Sequence, residues 1–127
     1  MKIILKLTYL LVLLLATSCS NNVETPLVSN ALPPIFPDYI GVTIPAEIAP
    51  MNFDIAQGVD YQRVDVVIKG GKRGELHVNA KRVNFPIKQW RKLLRENLGD
   101  SLQITVSIKQ GDDWKQYQPF SMYISPY

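Results

Sequence analysis

The sequence predicts a mainly β fold, an immunoglobulin-like β-sandwich with one crossover helix. About six short stretches are β-branched or alternate apolar with polar residues, turn residues separate them, and a single stretch has helical spacing. A small α+β domain is the alternative that this pattern leaves open. With 127 residues, the chain holds one small domain at most.

The predicted strands that precede the helix begin at Met51. Residues 51–55 alternate apolar with polar side chains, and residues 64–68 are β-branched and are followed by the turn signal Gly70-Gly71. Residues 75–80 alternate again and lead into residues 83–85. We therefore expect residues 64–68 and 75–80 to pair as a hairpin.

The helix is predicted over residues 86–98. Apolar residues recur there at spacings of three and four, and the basic residues lie at other positions around the helix. Pro86 suits the first turn, where its missing N–H has no cost, and Gly99 suits the C-terminal cap. The residues expected to share the buried face are Ile87, Trp90, Leu94 and Leu98.

Two further strand regions are predicted after the helix. Residues 102–108 alternate in the clearest strand pattern of the chain, which ends at the turn Gly111-Asp112-Asp113. Residues 114–118 and 120–124 then form a last pair of strands, which Pro119 interrupts because proline has no backbone donor.

Residues 1–18 are predicted to be a lipoprotein signal peptide. Lys2 and Lys6 precede an apolar run that is about half the 20 residues needed to span a bilayer. The small residues 16–18 then precede Cys19, the only cysteine, as in a bacterial lipobox. We therefore expect cleavage before Cys19 and lipid attachment to its thiol; an ordinary signal peptide cut near Ser18 is the alternative.

Residues 19–31 are predicted to form a flexible tether, because they are polar and lack apolar periodicity. The domain is predicted over residues 32–127. Six of the nine prolines lie between Pro26 and Pro50, which favours extended chain in this region. The segment also holds many apolar residues, so we expect it to pack on the domain.

Composition excludes several classes of function. Cys19 and His77 are the only Cys and His, too few for a disulfide framework or a zinc site within one chain. The net charge of +3 falls to +1 once residues 1–18 are removed, which argues against a nucleic-acid partner. No cofactor motif is visible, and we expect no cofactor.

No arrangement of residues predicts catalysis, so we expect a protein that is not an enzyme. His77 lies within a predicted strand and is interpreted as a surface or hydrogen-bonded structural histidine. The sequence lacks a Gly-x-Ser-x-Gly motif and a pair of carboxylates that it would place across a cleft. Residues 70–74 faintly resemble a phosphate loop but are followed by a strand pattern, which favours a hairpin turn.

Positive charge is concentrated in one part of the chain. Residues 69–95 contain nine Lys and Arg and one carboxylate, a net charge of +8. This segment could contact lipid headgroups, an acidic glycan or an acidic protein partner, and a solvated surface is the simpler interpretation. The candidate partner-binding residues are Lys88, Arg91, Lys92 and Arg95.

Three stretches of the chain resemble a family of lipid-anchored bacterial envelope proteins whose C-terminal part is a TolB-like β-propeller. The stretches are residues 35–53 (IFPDYIGVTIPAEIAPMNF), 85–90 (FPIKQW) and 117–125 (YQPFSMYIS). The resemblance covers about residues 33–125 and implies no catalytic role. Family members continue into a Cys-x-x-Cys-His haem motif and the propeller, both absent here, so we expect a truncated gene product or a small self-standing lipoprotein.

Together these observations predict a non-enzymatic lipoprotein of the bacterial outer membrane or cell surface, anchored through its N-terminal lipid. Its domain would serve as an interaction or spacer module. A carbohydrate-binding module is the alternative, because β-sandwich domains often display aromatic residues. Those available are Tyr39, Tyr61, Trp114, Tyr117, Tyr123 and Tyr127.

Overall fold

The structure is a computed structural model, which describes residues 21–127. Within this range the fold is mainly β, with nine strands and one helix. The elements in chain order are β1 (Leu27–Val28), β2 (Ile35–Phe36), β3 (Thr43–Ile44), β4 (Asp54–Ile55), β5 (Arg63–Gly70), β6 (Glu75–Ala80), α1 (Ile87–Glu96), β7 (Ser101–Gln110), β8 (Asp113–Gln116) and β9 (Phe120–Ile124). The predicted signal peptide and Cys19 lie outside the described residues.

Seven strands form one sheet around the long strand β7. On one side of β7, β5 pairs antiparallel from Arg63 opposite Lys109 to Gly70 opposite Leu102, and β6 follows at the edge. On the other side, β8 and β9 pair with the two ends of β7. Pro119 lies between β8 and β9 and cannot donate to the ladder, which accounts for the break. Short strands β1 and β3 add parallel to β8 and β9.

A second layer covers one face of this sheet. It consists of α1 and the two-stranded antiparallel sheet of β2 and β4. The core between the layers takes alternate residues of the central strands, such as Val66 opposite Val106, together with Phe53, Phe85 and Trp90. The predicted fold class, mainly β and sandwich-like with one helix, is confirmed.

The helix crosses from β6 to β7. Because β6 and β7 both pair antiparallel with β5, they run parallel to each other, and α1 connects them across the core face. This is a crossover connection, the role that the sequence predicted for the helix.

The buried face of α1 differs in part from the prediction. Trp90, Leu93 and Leu94 are buried, whereas Ile87 is 54% and Leu98 is 36% exposed. Ile87 begins the helix one turn before its first buried residue. The helix ends at Glu96, so Leu98 does not continue the helical face, and the buried Asn97 is its C-terminal cap.

The described part of the predicted tether, residues 21–31, is folded onto the sheet, so the prediction of a free segment is wrong there. β1 pairs with β8, and Ser29 N donates to Gln116 O at 2.8 Å. Gln118 N donates to Ala31 O at 2.9 Å. The edge of β8 would otherwise leave backbone donors and acceptors unpaired, and β1 satisfies them. None of the residues from 21 to 127 belongs to a helix that is long and apolar enough to span a membrane.

The proline-rich segment follows the prediction more closely. It contains β2 and β3 and no helix, and Ile35 and Ile44 are buried in the core. Phe36, in contrast, exposes 71% of its surface, and Leu27, Val28 and Leu32 are also exposed. The extended chain thus supplies core residues without forming long strands.

Candidate interaction surface

The four predicted partner-binding residues share the outward side of α1. Because Trp90, Leu93 and Leu94 point into the core, the helix carries its cations at positions that face away from it. All four are exposed, and we call them the α1 basic face: Lys88, Arg91, Lys92 and Arg95.

Two of these residues line a shallow groove. Arg91 and Arg95 lie one helical turn apart and border the groove with Ala46 and Glu47 of the extended segment. Its volume is about 260 Å³. The groove therefore offers two guanidinium groups to an anion, although Glu47 places one carboxylate beside them.

The ion pairing on this face is slight. Lys92 Nζ lies 3.9 Å from Glu96 Oε1, and 72% of the Lys92 side chain is exposed, so solvent screens the pair. Among the residues that the structure describes, Lys88, Arg91 and Arg95 make no side-chain hydrogen bond or ion pair. Their charges are available to a partner without the loss of an internal contact.

The loop that resembles a phosphate loop is a hairpin turn, as predicted. It joins β5 to β6, whose ladder ends at Lys69 opposite Glu75. Its geometry depends on Gly70 and Gly71. A Cβ atom on Gly70 would lie 2.1 Å from Arg73 O, and one on Gly71 would lie 2.3 Å from Asp100 Oδ1. Only glycine fits there without movement of the neighbouring chain.

Asn97 fills the space that a phosphate would need in this turn. Its Oδ1 accepts hydrogen bonds from Lys72 N at 2.8 Å and Arg73 N at 3.2 Å. Its Nδ2 donates to Arg73 O and Leu93 O, both at 2.8 Å. The two amides that would bind an anion already have a partner, so the turn is structural. Sequence reasoning missed Asn97, because it predicted Gly99, two residues later, as the C-terminal cap, whereas Asn97 is the cap in the structure.

His77 forms a polar cluster on the face of the sheet opposite the core. Its Nε2 lies 2.5 Å from Asp65 Oδ1, which also accepts from Asn79 Nδ2 at 2.9 Å. Arg63 Nε donates to Asn79 Oδ1, and Arg63 Nη2 donates to Asn79 O at 3.1 Å. The prediction of a hydrogen-bonded histidine is confirmed. The sequence analysis did not identify Asp65 as the partner of His77. The alternation of side chains along the paired strands β5 and β6 places Asp65 beside Asn79.

This cluster does not have the order of a hydrolytic triad. Ser107 lies opposite Asp65 on β7, whereas His77 is on β6, so the carboxylate lies between the other two groups. A triad needs the histidine between serine and carboxylate. Asp65 and Ser107 are also buried. The hydrogen bonds of the cluster link side chains on the outer faces of β5 and β6.

The aromatic residues considered for sugar binding are not all accessible. Trp114 and Tyr117 are buried, and Tyr39 and Tyr61 pack partly against the core. Tyr123 is half exposed, and Tyr127 is almost fully exposed. Of these six aromatic residues, Tyr123 and Tyr127 are thus the most accessible to a sugar, and the carbohydrate-binding alternative stays a prediction.

Comparison of the chain with protein-family models, with curated proteins and with solved structures found no match. The resemblance to the envelope proteins with a TolB-like propeller therefore stays a prediction.

Proposed function

We propose that this protein is a non-enzymatic lipoprotein of the bacterial envelope, anchored through Cys19, whose domain acts as an interaction or spacer module. The observation that carries the proposal is the short apolar run followed by small residues and the single cysteine. Under this proposal the domain corresponds to the N-terminal part of the envelope proteins that it resembles.

The position of Asn21 supports this proposal. Asn79 Nδ2 of β6 donates to Asn21 O at 3.0 Å, so the fold includes a residue only two positions after Cys19. Extended chain advances about 3.5 Å per residue, so a lipid on Cys19 would lie within about 7 Å of Asn21. The anchor would hold the domain directly on the bilayer surface. Several acyl chains, at about 0.8 kcal/mol per buried methylene, make such attachment stable, whereas one chain is marginal.

The α1 basic face supports the interaction role. It leaves Lys88, Arg91 and Arg95 exposed without a partner among residues 21–127. Exposed cations of this kind suit an acidic partner such as a protein surface, a glycan or a lipid headgroup.

The anchor is tested with Cys19→Ser, using Ser20→Ala as the control. We expect the parent and Ser20→Ala to incorporate labelled palmitate and to fractionate with the membranes. Cys19→Ser should incorporate none and should appear in the soluble envelope fraction or as an uncleaved precursor. Unchanged membrane partition of a correctly cleaved Cys19→Ser protein would contradict the proposal.

A further inference from the structure

Strand β6 forms one edge of the seven-stranded sheet. Only β5 pairs with it, so no strand among residues 21–127 lies along its other side. With 6 residues, β6 is longer than the edge strands β1 and β3, which have 2 residues each. An open edge strand presents a row of backbone donors and acceptors that a further strand can bind.

The hydrogen-bond pattern shows which backbone groups of β6 point outward. Gly70 N donates to Gly74 O at 2.9 Å in the turn, and hydrogen-bonded pairs alternate from there along the antiparallel ladder. The even-numbered residues of β6 therefore bond to β5. The backbone groups of Glu75, His77 and Asn79 point away from it.

These outward groups have almost no partner within the described chain. Among residues 21–127, one hydrogen bond reaches them, from Arg63 Nη2 to Asn79 O at 3.1 Å. A carbonyl oxygen has two lone pairs, so Asn79 O can accept a second bond. Glu75 and His77 are exposed, so the edge is open to solvent. A further strand could therefore pair with β6 without breaking an internal hydrogen bond.

The sequence of this edge is complementary to itself. In an antiparallel pair centred on Val78, Glu75 of one copy lies opposite Lys81 of the other, and the twofold axis makes this pair occur twice. Opposite charges at directly paired positions stabilise a sheet, and like charges destabilise it. A pair centred on His77 would place Arg73 opposite Lys81, two like charges. Charge therefore favours the register centred on Val78.

The same register suits the backbone and the apolar side chain at its centre. It places His77 opposite Asn79 of the second copy, so outward-pointing backbone groups meet outward-pointing groups. Val78 packs only partly against the core and is not fully buried. In this register it lies opposite Val78 of the second copy, and each valine covers the other.

This pairing also places both N-terminal segments on the same side. Asn79 shares the outer face of the sheet with His77 and Asp65, and its Nδ2 donates to Asn21 O at 3.0 Å. Two antiparallel edge strands within one continuous sheet are related by a twofold axis perpendicular to the sheet, so the outer faces of both copies point in the same direction. Two lipid anchors at Cys19 could therefore enter the same membrane.

We propose that β6 pairs antiparallel with β6 of a second copy of this chain, with Val78 at the twofold axis, to form a dimer with one continuous sheet. The inference rests on the interaction role proposed above and names the partner in that role. Backbone hydrogen bonds hold the two strands together, and the paired charges of Glu75 and Lys81 set the register.

Disulfide formation by Val78→Cys tests this contact. The Cα atoms of a non-hydrogen-bonded antiparallel pair are about 4.5 Å apart, within the range of about 4.4–6.8 Å that a disulfide spans. Glu75→Cys is the matched control on the same edge, because in this register the two copies of residue 75 are about 20 Å apart along the strands. Cells that express the full chain are treated with copper phenanthroline, and dimers are quantified on non-reducing gels.

We expect Val78→Cys to form at least about fivefold more disulfide-linked dimer than Glu75→Cys. The parent, whose only cysteine is Cys19, should form no more than Glu75→Cys. Absence of dimer in Val78→Cys would overturn the proposal. Equal dimer in Val78→Cys and Glu75→Cys would indicate random collision and would also overturn it.

Charge exchange tests the register without a new cysteine. Sedimentation of the purified full chain should show that Glu75→Lys and Lys81→Glu each weaken the dimer by about fivefold, since each creates two like-charge pairs across the axis. The combined variant should restore the dimer of the parent. Both side chains are exposed, so the thermal midpoint of the monomer should change little. A combined variant that stays monomeric would overturn the pairing of β6 with itself.

The anchor and the dimer fail separately. Palmitate labelling of the parent reports the anchor, and the disulfide in Val78→Cys reports the contact. A labelled chain whose Val78→Cys variant forms no dimer contradicts the dimer alone. A dimer of Val78→Cys in chains that carry no palmitate contradicts the anchor and supports the contact.

Discussion

The two sides of helix α1 differ in how their polar groups are satisfied. At its C-terminal end, Asn97 is fully buried and makes four hydrogen bonds through its side chain. On its outward side, Lys88, Arg91 and Arg95 are exposed and have no partner among residues 21–127. A buried polar group must be paired, whereas an exposed charge is already satisfied by water. Substitutions on the inner side should therefore affect stability, and those on the outer side should affect binding.

The largest loss of stability is expected from Trp90→Ala, on the buried side of α1. Trp90 is fully buried and stacks on Phe85 with ring centroids 5.5 Å apart, and its Nε1 donates to Ile48 O at 3.0 Å. Loss of the ring should lower the free energy of unfolding by about 3–5 kcal/mol, a large part of the 5–15 kcal/mol typical of a domain. Denaturant titration measures this, with the exposed Ile87→Ala as the control. Equal midpoints for the two variants would contradict the packing described for α1.

A smaller but specific loss is expected from Asn97→Ala. The change leaves Lys72 N and Arg73 N without their acceptor and Leu93 O and Arg73 O without their donor. Unsatisfied buried groups cost about 1–3 kcal/mol each, and partial access of water to the turn should limit the total to about 2–4 kcal/mol. Hydrogen exchange at Lys72 and Arg73 provides a local readout beside the thermal midpoint.

The exposed Asn30→Ala is the matched control for Asn97→Ala, since it removes the same group from the surface. Its stability should equal that of the parent. If Asn97→Ala leaves exchange in the turn unchanged, Asn97 does not hold the hairpin against the helix.

The smallest effect on stability is expected from Arg91→Gln combined with Arg95→Gln. Neither side chain has an internal partner in the described structure, so the free energy of unfolding should change by no more than about 0.5 kcal/mol. Thermal unfolding of the purified protein measures this. A loss of several kcal/mol would show that these residues support the fold, and the inner and outer sides of α1 would then not differ as described.

Several elements could be predicted because their patterns are local. The alternation from Leu102 to Ile108 depends only on the two-residue period of a strand, and these residues form the centre of β7. The spacing of Trp90 and Leu94 likewise predicted the buried side of α1. Ile87 and Leu98 fit the same spacing, but Ile87 is the first residue of the helix and Leu98 lies beyond its end, and periodicity does not show where packing stops.

The candidate surface was only partly predictable. The sequence identified the cations of α1, because their positions around a helix follow from spacing. It did not show that Asn97 joins the turn of Lys72 and Arg73 to the C-terminal end of α1, since these residues are 25 and 24 positions apart in the chain. It also did not show that residues 21–31 join the sheet, because β1 pairs with a strand about 90 residues later in the chain.

The sequence by itself determined the mainly β class and the single helix, and it predicts export and lipidation at Cys19. All of these patterns lie in short windows of hydropathy and turn residues. Only the tertiary structure decided that Asn97 closes the Gly70-Gly71 turn, that Asp65 holds His77, and that Asn21 lies beside Asn79 of β6. Each of these depends on residues that are distant in sequence and close in space. A local sequence pattern does not show which distant residues become neighbours. Once the chain has folded, buried polar groups must form hydrogen bonds with those neighbours.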